Sequence, residues 1–318
     1  MGNEQKNIKN FYAPGKLLIS GEYLVLRGAQ ALAVPLKFGQ SLRVETHEGE
    51  NRLRWEAYLP DRKWFSALFN TENFEYLQSD NQELTLRLQS IFREIRKLNP
   101  DFLKEPAETL ISTTLSFNPE WGTGSSSSLM ANMAKWAEID PFELNKRIFG
   151  GSGYDIASVI TGKSIIYRLI NEQPDYHITD FAPPFSENLY FVYQNRKQKS
   201  RTAIEGFSNT PVSDEELSAI SKITLKMIST DCLSEFSALM DEHEQIVAKI
   251  LKQTPVKQLL FQDFNGSIKS LGAWGGDFLL AASGQKHEYV MDYFSQKGFK
   301  TIISWKDMVA GEVISSRF

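Results

Sequence analysis

The order of strand-like and helix-like segments is the feature that most limits the folds open to this sequence. Segments typical of strands lie at residues 40–48, 52–59, 107–117 and 189–194. Segments with the apolar periodicity of helices lie at residues 81–98, 213–229 and 232–251. The two kinds are mixed without regular strand–helix–strand alternation. The sequence therefore predicts an α+β fold and not a doubly wound parallel sheet.

The length of the chain is compatible with two domains. Its 318 residues are 42% hydrophobic and 23% charged, which is typical of a globular protein with a substantial core. The proline-rich stretch "DFAPPFSEN" at 180–188 leads from the first half of the chain into the second. We place the boundary near residues 166–188 and predict one domain at 1–170 and a second at 171–318.

Charge and cysteine content exclude several classes of partner and site. The net charge is −4 without a dense block of Lys and Arg, which argues against nucleic-acid binding. No apolar segment approaches the roughly 20 residues of a membrane span, and the polar start "MGNEQKNIKN" is unlike a signal peptide. Cys232 is the only cysteine, so neither an intrachain disulfide nor a Cys-based zinc site is available. We expect a cytoplasmic monomer or homodimer.

A glycine- and serine-rich stretch, "WGTGSSSS" at 121–128, directly precedes a segment with an apolar helical face. That face consists of Leu129, Met130, Met133, Ala134 and Ala137. The first amides of a helix have no intrahelical acceptor, and together with the helix dipole they form an anion site. The stretch therefore predicts a phosphate-binding loop in which a serine hydroxyl ligates Mg²⁺. The alternative is a flexible linker that ends in an N-cap serine.

Two further stretches contain glycines suited to close approach of a ligand. The first is "APGKLLISGEY" at 13–23, which with its neighbours predicts two short strands around a Pro-Gly turn. The second is "GAWGGDF" at 272–278, which predicts a loop between two strands.

Two other patterns look like known motifs but lack a defining residue. "TGKSII" at 161–166 has Ala157 where a Walker A loop requires glycine, and it precedes a strand where that loop precedes a helix. "HEQIV" at 243–247 has Val247 in place of the second histidine of a zinc-protease motif. We therefore expect His243 and Glu244 to lie on a solvated helix face.

Four segments in this order resemble the motifs of the GHMP kinases, the galactokinase, homoserine kinase, mevalonate kinase and phosphomevalonate kinase superfamily. They are "APGKLLISGEYLVLRG", "GTGSSSS", "GSGYDIAS" at 151–158 and "GAWGGDF". The resemblance implies two domains, an N-terminal one like domain 2 of ribosomal protein S5 and a C-terminal ferredoxin-like one. It also implies transfer of the γ-phosphoryl group of ATP, with Mg²⁺, to a hydroxyl or phosphate oxygen of a small acceptor.

Details of the motifs narrow the choice of acceptor molecule. Gly21-Glu22-Tyr23, Gly153-Tyr154-Asp155 and Gly275-Gly276-Asp277 are more similar to phosphomevalonate kinases than to mevalonate kinases. This resemblance implies phosphomevalonate or mevalonate, of the isoprenoid precursor pathway, as acceptor. Thr123, Ser127, Ser128, Trp121 and Trp274 depart from the usual motifs. A sugar or another small alcohol as acceptor, and a catalytically silent nucleotide- or metabolite-binding relative, therefore remain alternatives.

The resemblance also assigns the nucleotide and metal residues. The ATP-binding residues would be Gly122, Thr123, Gly124, Ser125, Ser126 and Ser127. Ser125 or Ser126 would bind Mg²⁺, and Glu143 is a candidate for a second metal ligand, with an exposed helix glutamate as the alternative.

Catalytic and acceptor-binding roles follow in the same way. Asp155 matches the catalytic aspartate, with a structural N-cap as the alternative, and Lys16 matches the catalytic lysine, with an exposed turn lysine as the alternative. Residues expected near the acceptor are Lys16, Glu22, Tyr23, Ser152, Gly153, Arg201, Trp274 and Gly275. Glu22 would brace the loop of the first motif or help to position Lys16. Arg201 belongs to a basic cluster with Arg196, Lys197 and Lys199, which either binds the anionic end of the acceptor or is merely solvated.

Overall fold

The computed structural model describes residues 7–196 and 200–311, and all their side chains except those of residues 200, 201, 202 and 204. The first part of the chain forms β1 (Asn7–Ser20), β2 (Ala31–His47), β3 (Arg52–Leu59), β4 (Arg62–Asn70), β5 (Tyr76–Ser79), α1 (Gln82–Leu98), β6 (Glu108–Leu115), α2 (Ser125–Ala137), α3 (Pro141–Ile148) and α4 (Tyr154–Thr161). The rest forms β7 (Ile165–Ile170), β8 (Gln173–Ile178), β9 (Leu189–Tyr193), α5 (Ser200–Phe207), α6 (Asp214–Ser229), α7 (Leu233–Leu251), α8 (Val256–Leu260), β10 (Ser267–Ser270), β11 (Phe278–Ala282), α9 (His287–Gln296), β12 (Ile302–Ser304) and α10 (Trp305–Met308). Short 3₁₀ helices lie at Leu24–Arg27, Pro119–Trp121 and Ser186–Asn188.

The chain divides into two units that interleave along the sequence. Unit 1 contains the described part of Met1–Gly15, together with Phe38–Pro119 and Gly124–Ile160. Unit 2 contains Lys16–Lys37, Glu120–Thr123 and the described part of Thr161–Phe318. Strands β1 and β2 each have residues in both units. The single boundary between residues 170 and 171 remains a prediction.

Unit 1 contains a mixed sheet with the strand order β5–β4–β3–β6–β2, in which β2 takes part through Gln40–His47. The pair β3–β6 is parallel, with Arg52 opposite Glu108 and Tyr58 opposite Thr114, and the other pairs are antiparallel. A parallel pair requires a crossover connection. Helix α1 lies in the connection that leads from β3 to β6.

The apolar faces of α1 and α2 pack into the core of unit 1. The ring of Phe92 on α1 contacts the rings of Trp55, Phe69 and Phe74 at centroid distances of 6.0, 5.4 and 5.4 Å. The apolar face predicted for residues 129–137 is confirmed, since its members are buried or partly buried in this core, namely Leu129, Met130, Met133, Ala134 and Ala137. Burial of this face orients α2 and fixes the direction of its N-terminus.

Unit 2 contains an antiparallel sheet with the strand order β10–β11–β9–β12. All residues of β9 and β11 are buried, because both faces of the sheet are covered. One face packs against an aromatic cluster that includes Phe261, Phe264 and Phe294. On the other face, the ring of Phe191 stacks on Trp305 with a centroid distance of 5.4 Å. Separately, Ala31–Ala33 of β2 pair with β7, and β7 pairs with β8.

Side-chain caps begin several of the predicted helices. Asn81 caps α1 and Asp140 caps α3, where Pro141 occupies the first turn, a position that proline favours. Ser213 and Glu216 form a capping box at the start of α6. Among the residues that the structure describes, no helix combines the length and the apolar character needed to cross a membrane.

The α+β class is confirmed, whereas the prediction for the first motif is wrong in detail. The chain does not turn at Pro14-Gly15, because β1 runs without interruption from Asn7 to Ser20. Proline is tolerated in an edge strand, and β2 is the partner of β1 in the described sheet. Residues 24–26, for which the sequence predicts a strand, belong to the 3₁₀ helix Leu24–Arg27. The likeness of the two domains to ribosomal protein S5 and ferredoxin remains a prediction.

Candidate active site

In unit 1, the predicted phosphate loop ends at the N-terminus of α2. Gly124 is the N-cap residue with a left-handed φ of 97°, and no side chain caps the first-turn amides. Ser125 is half-buried and Ser126 is exposed. The Ser127 hydroxyl instead donates to the carbonyl of Gly124 at 3.0 Å. This helix start therefore offers backbone amides and the side chains of Ser125 and Ser126 to an anion or its metal.

In unit 2, the preceding half of the loop lies against the glycine-rich third motif. Gly122 has a φ of 69°, and a Cβ placed there would lie only 2.5–2.7 Å from the carboxyl atoms of Asp277. The carbonyl of Thr123 accepts a hydrogen bond from the amide of Lys16 at 2.9 Å. The Thr123 hydroxyl is buried and has no hydrogen-bond partner among the described residues. Lys16, Gly122, Thr123 and Asp277 are thus brought together.

The third motif is also joined to the first motif and to the start of the basic cluster. The amide of Trp274 donates to the Tyr23 hydroxyl at 3.0 Å. The amide of Asp277 donates to the carbonyl of Arg196 at 2.8 Å. Tyr23 and Asp277 both have left-handed φ values, 63° and 56°. Such values are costly for residues other than glycine and are common at functional sites.

The side chain of Trp274 is only 4% exposed, so its ring forms part of the interior of unit 2. Gly275 follows it with a φ of 92°. A direct contact of either residue with an acceptor remains a prediction. The other departure from the usual motifs, Trp121, packs its ring edge-on against Phe278 of β11 at 5.6 Å and so anchors the phosphate loop on the sheet.

The segment "GSGYDIAS" places Asp155 in the first turn of α4 in unit 1. Gly153 precedes the helix with a φ of 83°, and its carbonyl accepts the amide of Ala157 at 3.0 Å. The hydroxyl of Ser152 lies 3.5 Å from the amide of Tyr154. Asp155 is half-buried, at the helix end whose dipole stabilises a negative charge.

Glu143, the candidate for a second metal ligand, forms an ion pair with a neighbouring arginine. Its carboxylate lies 2.7 Å from Nε of Arg147, one turn along α3, and 44% of its side chain is exposed. Within residues 7–196 and 200–311, no cluster of three or more His, Cys, Asp or Glu side chains is arranged to hold a metal ion. The role of Glu143, as a second metal ligand or as an exposed helix residue, remains a prediction.

The predicted basic cluster is described only in part. Arg196 is exposed, and Arg201 lies in α5, although its side chain is outside those described. Lys197 and Lys199 lie outside the described residues altogether. The role of this cluster remains a prediction.

The prediction for "HEQIV" is wrong, because His243 and Glu244 are almost fully buried, at 0% and 2% exposure. They lie on the face of α7 that also buries Phe236, Met240 and Val247. The spacing of these residues, at positions three, four and seven apart, places them all on one side of a helix. This spacing is the feature of the sequence that predicts the burial of His243 and Glu244.

These two residues belong to a buried polar cluster that we define as Glu22, His243, Glu244 and Lys269. Nζ of Lys269, a side chain with 0% exposure, donates to Oε1 of Glu22 and to the carbonyl of Ser270. Oε2 of Glu22 lies 3.2 Å from Nε2 of His243. The carboxylate of Glu244 accepts from the amide and the hydroxyl of Ser270 at 3.1 and 2.8 Å.

Burial is the largest cause of the pKa shifts in this polar cluster. Burial raises the pKa of Glu22, although Lys269 opposes the shift. Burial, followed by the nearby Lys269 charge, holds the pKa of His243 well below its usual range. Burial also raises the pKa of Glu244 to about 7, again against the effect of Lys269. His243 is therefore neutral, in agreement with the hydrogen bond that its Nε2 accepts from the Gly21 amide. The carboxyl groups of Glu22 and Glu244 bind protons more readily than exposed carboxyl groups do.

Solved kinase structures share the fold of this chain over nearly its whole length. Methanococcus jannaschii mevalonate kinase has a TM-score of 0.68 at 17% identity, covering 93% of this chain and 97% of that one. Streptococcus pneumoniae phosphomevalonate kinase, in complex with phosphomevalonate and AMPPNP, has a TM-score of 0.68 at 15% identity, covering 93% and 99%. Lactococcus lactis galactokinase, complexed with galactose, has a TM-score of 0.64 at 11% identity, covering 96% and 94%.

These likenesses confirm, for the fold, the resemblance found in the motifs. No family model matches the sequence, and no curated protein matches it.

Proposed function

We propose that this protein is an ATP-dependent kinase that transfers the γ-phosphoryl group to phosphomevalonate or mevalonate. The observation that carries the proposal is the start of α2, where a left-handed Gly124 leaves the first-turn amides without a side-chain cap. Such a helix start binds phosphate groups through its amides and dipole. The fold shared with mevalonate kinase, phosphomevalonate kinase and galactokinase supports the same reaction class.

The loop residues fit a nucleotide triphosphate with its metal ion. The buried hydroxyl of Thr123 lacks a partner among the described residues, and a ligand oxygen at the loop would provide one. Ser125 and Ser126 are the hydroxyl groups that would hold Mg²⁺, since that of Ser127 is directed to Gly124. Mg²⁺ neutralises charge on the phosphates, which matters here because the Asp277 carboxylate lies against Gly122.

Asp155 and Lys16 carry the chemical roles in this proposal. With an alcohol acceptor, Asp155 accepts the hydroxyl proton as general base. With a phosphate acceptor, which is already anionic, Asp155 orients the acceptor and balances charge. Lys16 stabilises the negative charge that moves between donor and acceptor oxygens. Its backbone bond to Thr123 supports this role, since it holds β1 beside the phosphate loop.

Phosphomevalonate is the acceptor that we favour, because it carries more negative charge than mevalonate does. The basic cluster begins at Arg196, whose carbonyl is hydrogen-bonded to Asp277 of the third motif. Arginine's planar fork suits a phosphate better than lysine's point charge. We therefore assign Arg201 and its basic neighbours to the anionic end of the acceptor.

The test is turnover of Mg·ATP with a panel of acceptors, followed by ³¹P NMR of the products. We expect phosphomevalonate to be used faster than mevalonate, and both faster than galactose. Faster use of galactose would move the protein to the sugar-kinase alternative. Binding of ATP without turnover of any acceptor would favour the silent relative.

Nucleotide binding at α2 is tested separately, by the rise in melting temperature that Mg·ATP causes. Gly124→Val should abolish this rise, because valine fills the space that the phosphates need. Gly298→Val is the matched control, since Gly298 has a similar φ of 89° and open space around it. A rise that survives in Gly124→Val would place the nucleotide elsewhere.

A further inference from the structure

The three consecutive residues Gly21, Glu22 and Tyr23 are each held by a different element of unit 2. The amide of Gly21 donates to Nε2 of His243 on α7 at 3.0 Å. The carboxylate of Glu22 accepts from Lys269 on β10. The hydroxyl of Tyr23 accepts from the amide of Trp274 in the glycine-rich loop at 3.0 Å. This turn therefore connects the end of β1 to the third motif.

The side chain of Glu22 is enclosed in unit 2 and is placed to hold this turn. Its side chain is 1% exposed, and its two carboxylate oxygens face Lys269 and His243. Lys269 and His243 are themselves 0% exposed. Buried charges of this kind add little net stability compared with apolar residues, but in some proteins they select one conformation over its competitors.

Two residues of the turn have backbone conformations that are unfavourable unless surrounding contacts hold them. Gly21 has a φ of 92°, and a Cβ there would lie 2.6 Å from Cβ of Ala31. Tyr23 has a left-handed φ of 63°, which is costly in a residue other than glycine. His243 accepts a hydrogen bond from the Gly21 amide, Lys269 donates one to Glu22, and Trp274 donates one to Tyr23. Together these hydrogen bonds hold the turn in this arrangement.

We propose that Lys269 and His243 are positioning residues that fix the turn Gly21–Tyr23 and, through the Tyr23 hydroxyl, the loop that carries Trp274. The structural part of this inference stands independently, and its catalytic consequence rests on the proposed function. In that function the turn positions two groups. They are Lys16, which lies on β1 five residues before Gly21, and the third motif. Misplacing such groups by about 1 Å can cost 100-fold in rate.

Two variants remove the positioning contacts without leaving a buried charge. Glu22→Leu/Lys269→Met replaces the pair by apolar residues of similar volume, which is often tolerated. This double variant is studied at pH 6. The pKa of Glu244 is raised to about 7, so at pH 6 its carboxyl group is mostly protonated and carries no buried charge. His243→Leu removes the acceptor of the Gly21 amide, and the imidazole that it replaces is neutral. Lys249→Met, on an exposed part of α7, is the control.

The first readout is ¹⁹F NMR of protein labelled with 5-fluorotryptophan, with Trp274 assigned by Trp274→Phe. We expect the Trp274 resonance to shift in both variants and to stay in place in Lys249→Met, while Trp55 in unit 1 stays in place throughout. The second readout is turnover, which should fall roughly 10- to 100-fold in both variants. If one variant does not fold, the other decides.

An unmoved Trp274 resonance in a folded variant would overturn the proposal. A shifted resonance with parental turnover would overturn its catalytic consequence. If the parent protein has no kinase activity, the proposed function fails, and the resonance alone still tests the positioning.

Discussion

The contact between Gly122 and Asp277 predicts that Gly122→Ala destabilises the protein more than a comparable glycine substitution. A Cβ at residue 122 would lie 2.5 Å from Cγ of Asp277, closer than real Cβ contacts allow. Gly162 is the matched control, because it belongs to the same unit, has a similar φ of 61°, against 69° at Gly122, and has no atom within 4 Å of its added Cβ.

The cost of the left-handed conformation and the cost of the steric contact with Asp277 are separated by comparing the two variants. A left-handed conformation costs alanine roughly 1–2 kcal/mol, and this cost applies to both variants. Forcing an extra methyl group against a packed neighbour costs a further ~1–3 kcal/mol, which applies to Gly122→Ala alone. We therefore expect the free energy of unfolding to fall by about 2–5 kcal/mol in Gly122→Ala and by about 1–2 kcal/mol in Gly162→Ala.

The assay is urea unfolding followed by circular dichroism, completed as a double-mutant cycle with Asp277→Gly. Glycine at residue 277 suits its φ of 56° and removes the carboxyl group that the new methyl group would meet. In that background, Gly122→Ala should cost no more than Gly162→Ala does. Equal losses for Gly122→Ala and Gly162→Ala in the parent, or no coupling in the cycle, would refute the reasoning.

Three further predictions concern catalysis, the acceptor and pH. Asp155→Asn should lower turnover roughly 100-fold or more if the residue is a general base, while the Mg·ATP-induced rise in melting temperature persists; near-normal turnover would leave Asp155 a structural residue. Arg201→Ala should remove a contact worth about 1.5–3 kcal/mol and raise the KM of phosphomevalonate about 10- to 150-fold, with the KM of ATP as internal control; an unchanged acceptor KM would contradict the assignment. Because the pKa of Glu244 rises from 4.5 to about 7 on folding, the folded state binds this proton more tightly, and the resulting stability is lost as pH rises through 7. The free energy of unfolding should therefore fall by about 3 kcal/mol more between pH 5 and pH 8 than in Glu244→Gln, and parallel pH profiles would disprove it.

The sequence by itself determined the fold class and the helices that carry the candidate site. The apolar face of residues 129–137 predicted α2, because periodicity is a local property of the chain. Asp140 followed by Pro141 is a local pattern typical of a helix start, and α3 begins there. The alternative interpretation of Asp155 in "GSGYDIAS", as an N-cap, likewise predicted a helix start at this motif. In each case the residues that decide the local structure lie within a few positions of one another.

Only the tertiary structure decided which distant residues meet. Gly122 faces Asp277, Tyr23 accepts from Trp274, and Lys269 reaches Glu22 across 247 positions of sequence. Pairing over such separations depends on sheet order and packing, which no local pattern records. The burial of His243 and Glu244 could have been read from their spacing on α7. As buried polar groups, however, they need partners, which come from the turn after β1 and from β10. Those partners are supplied only by the folded chain.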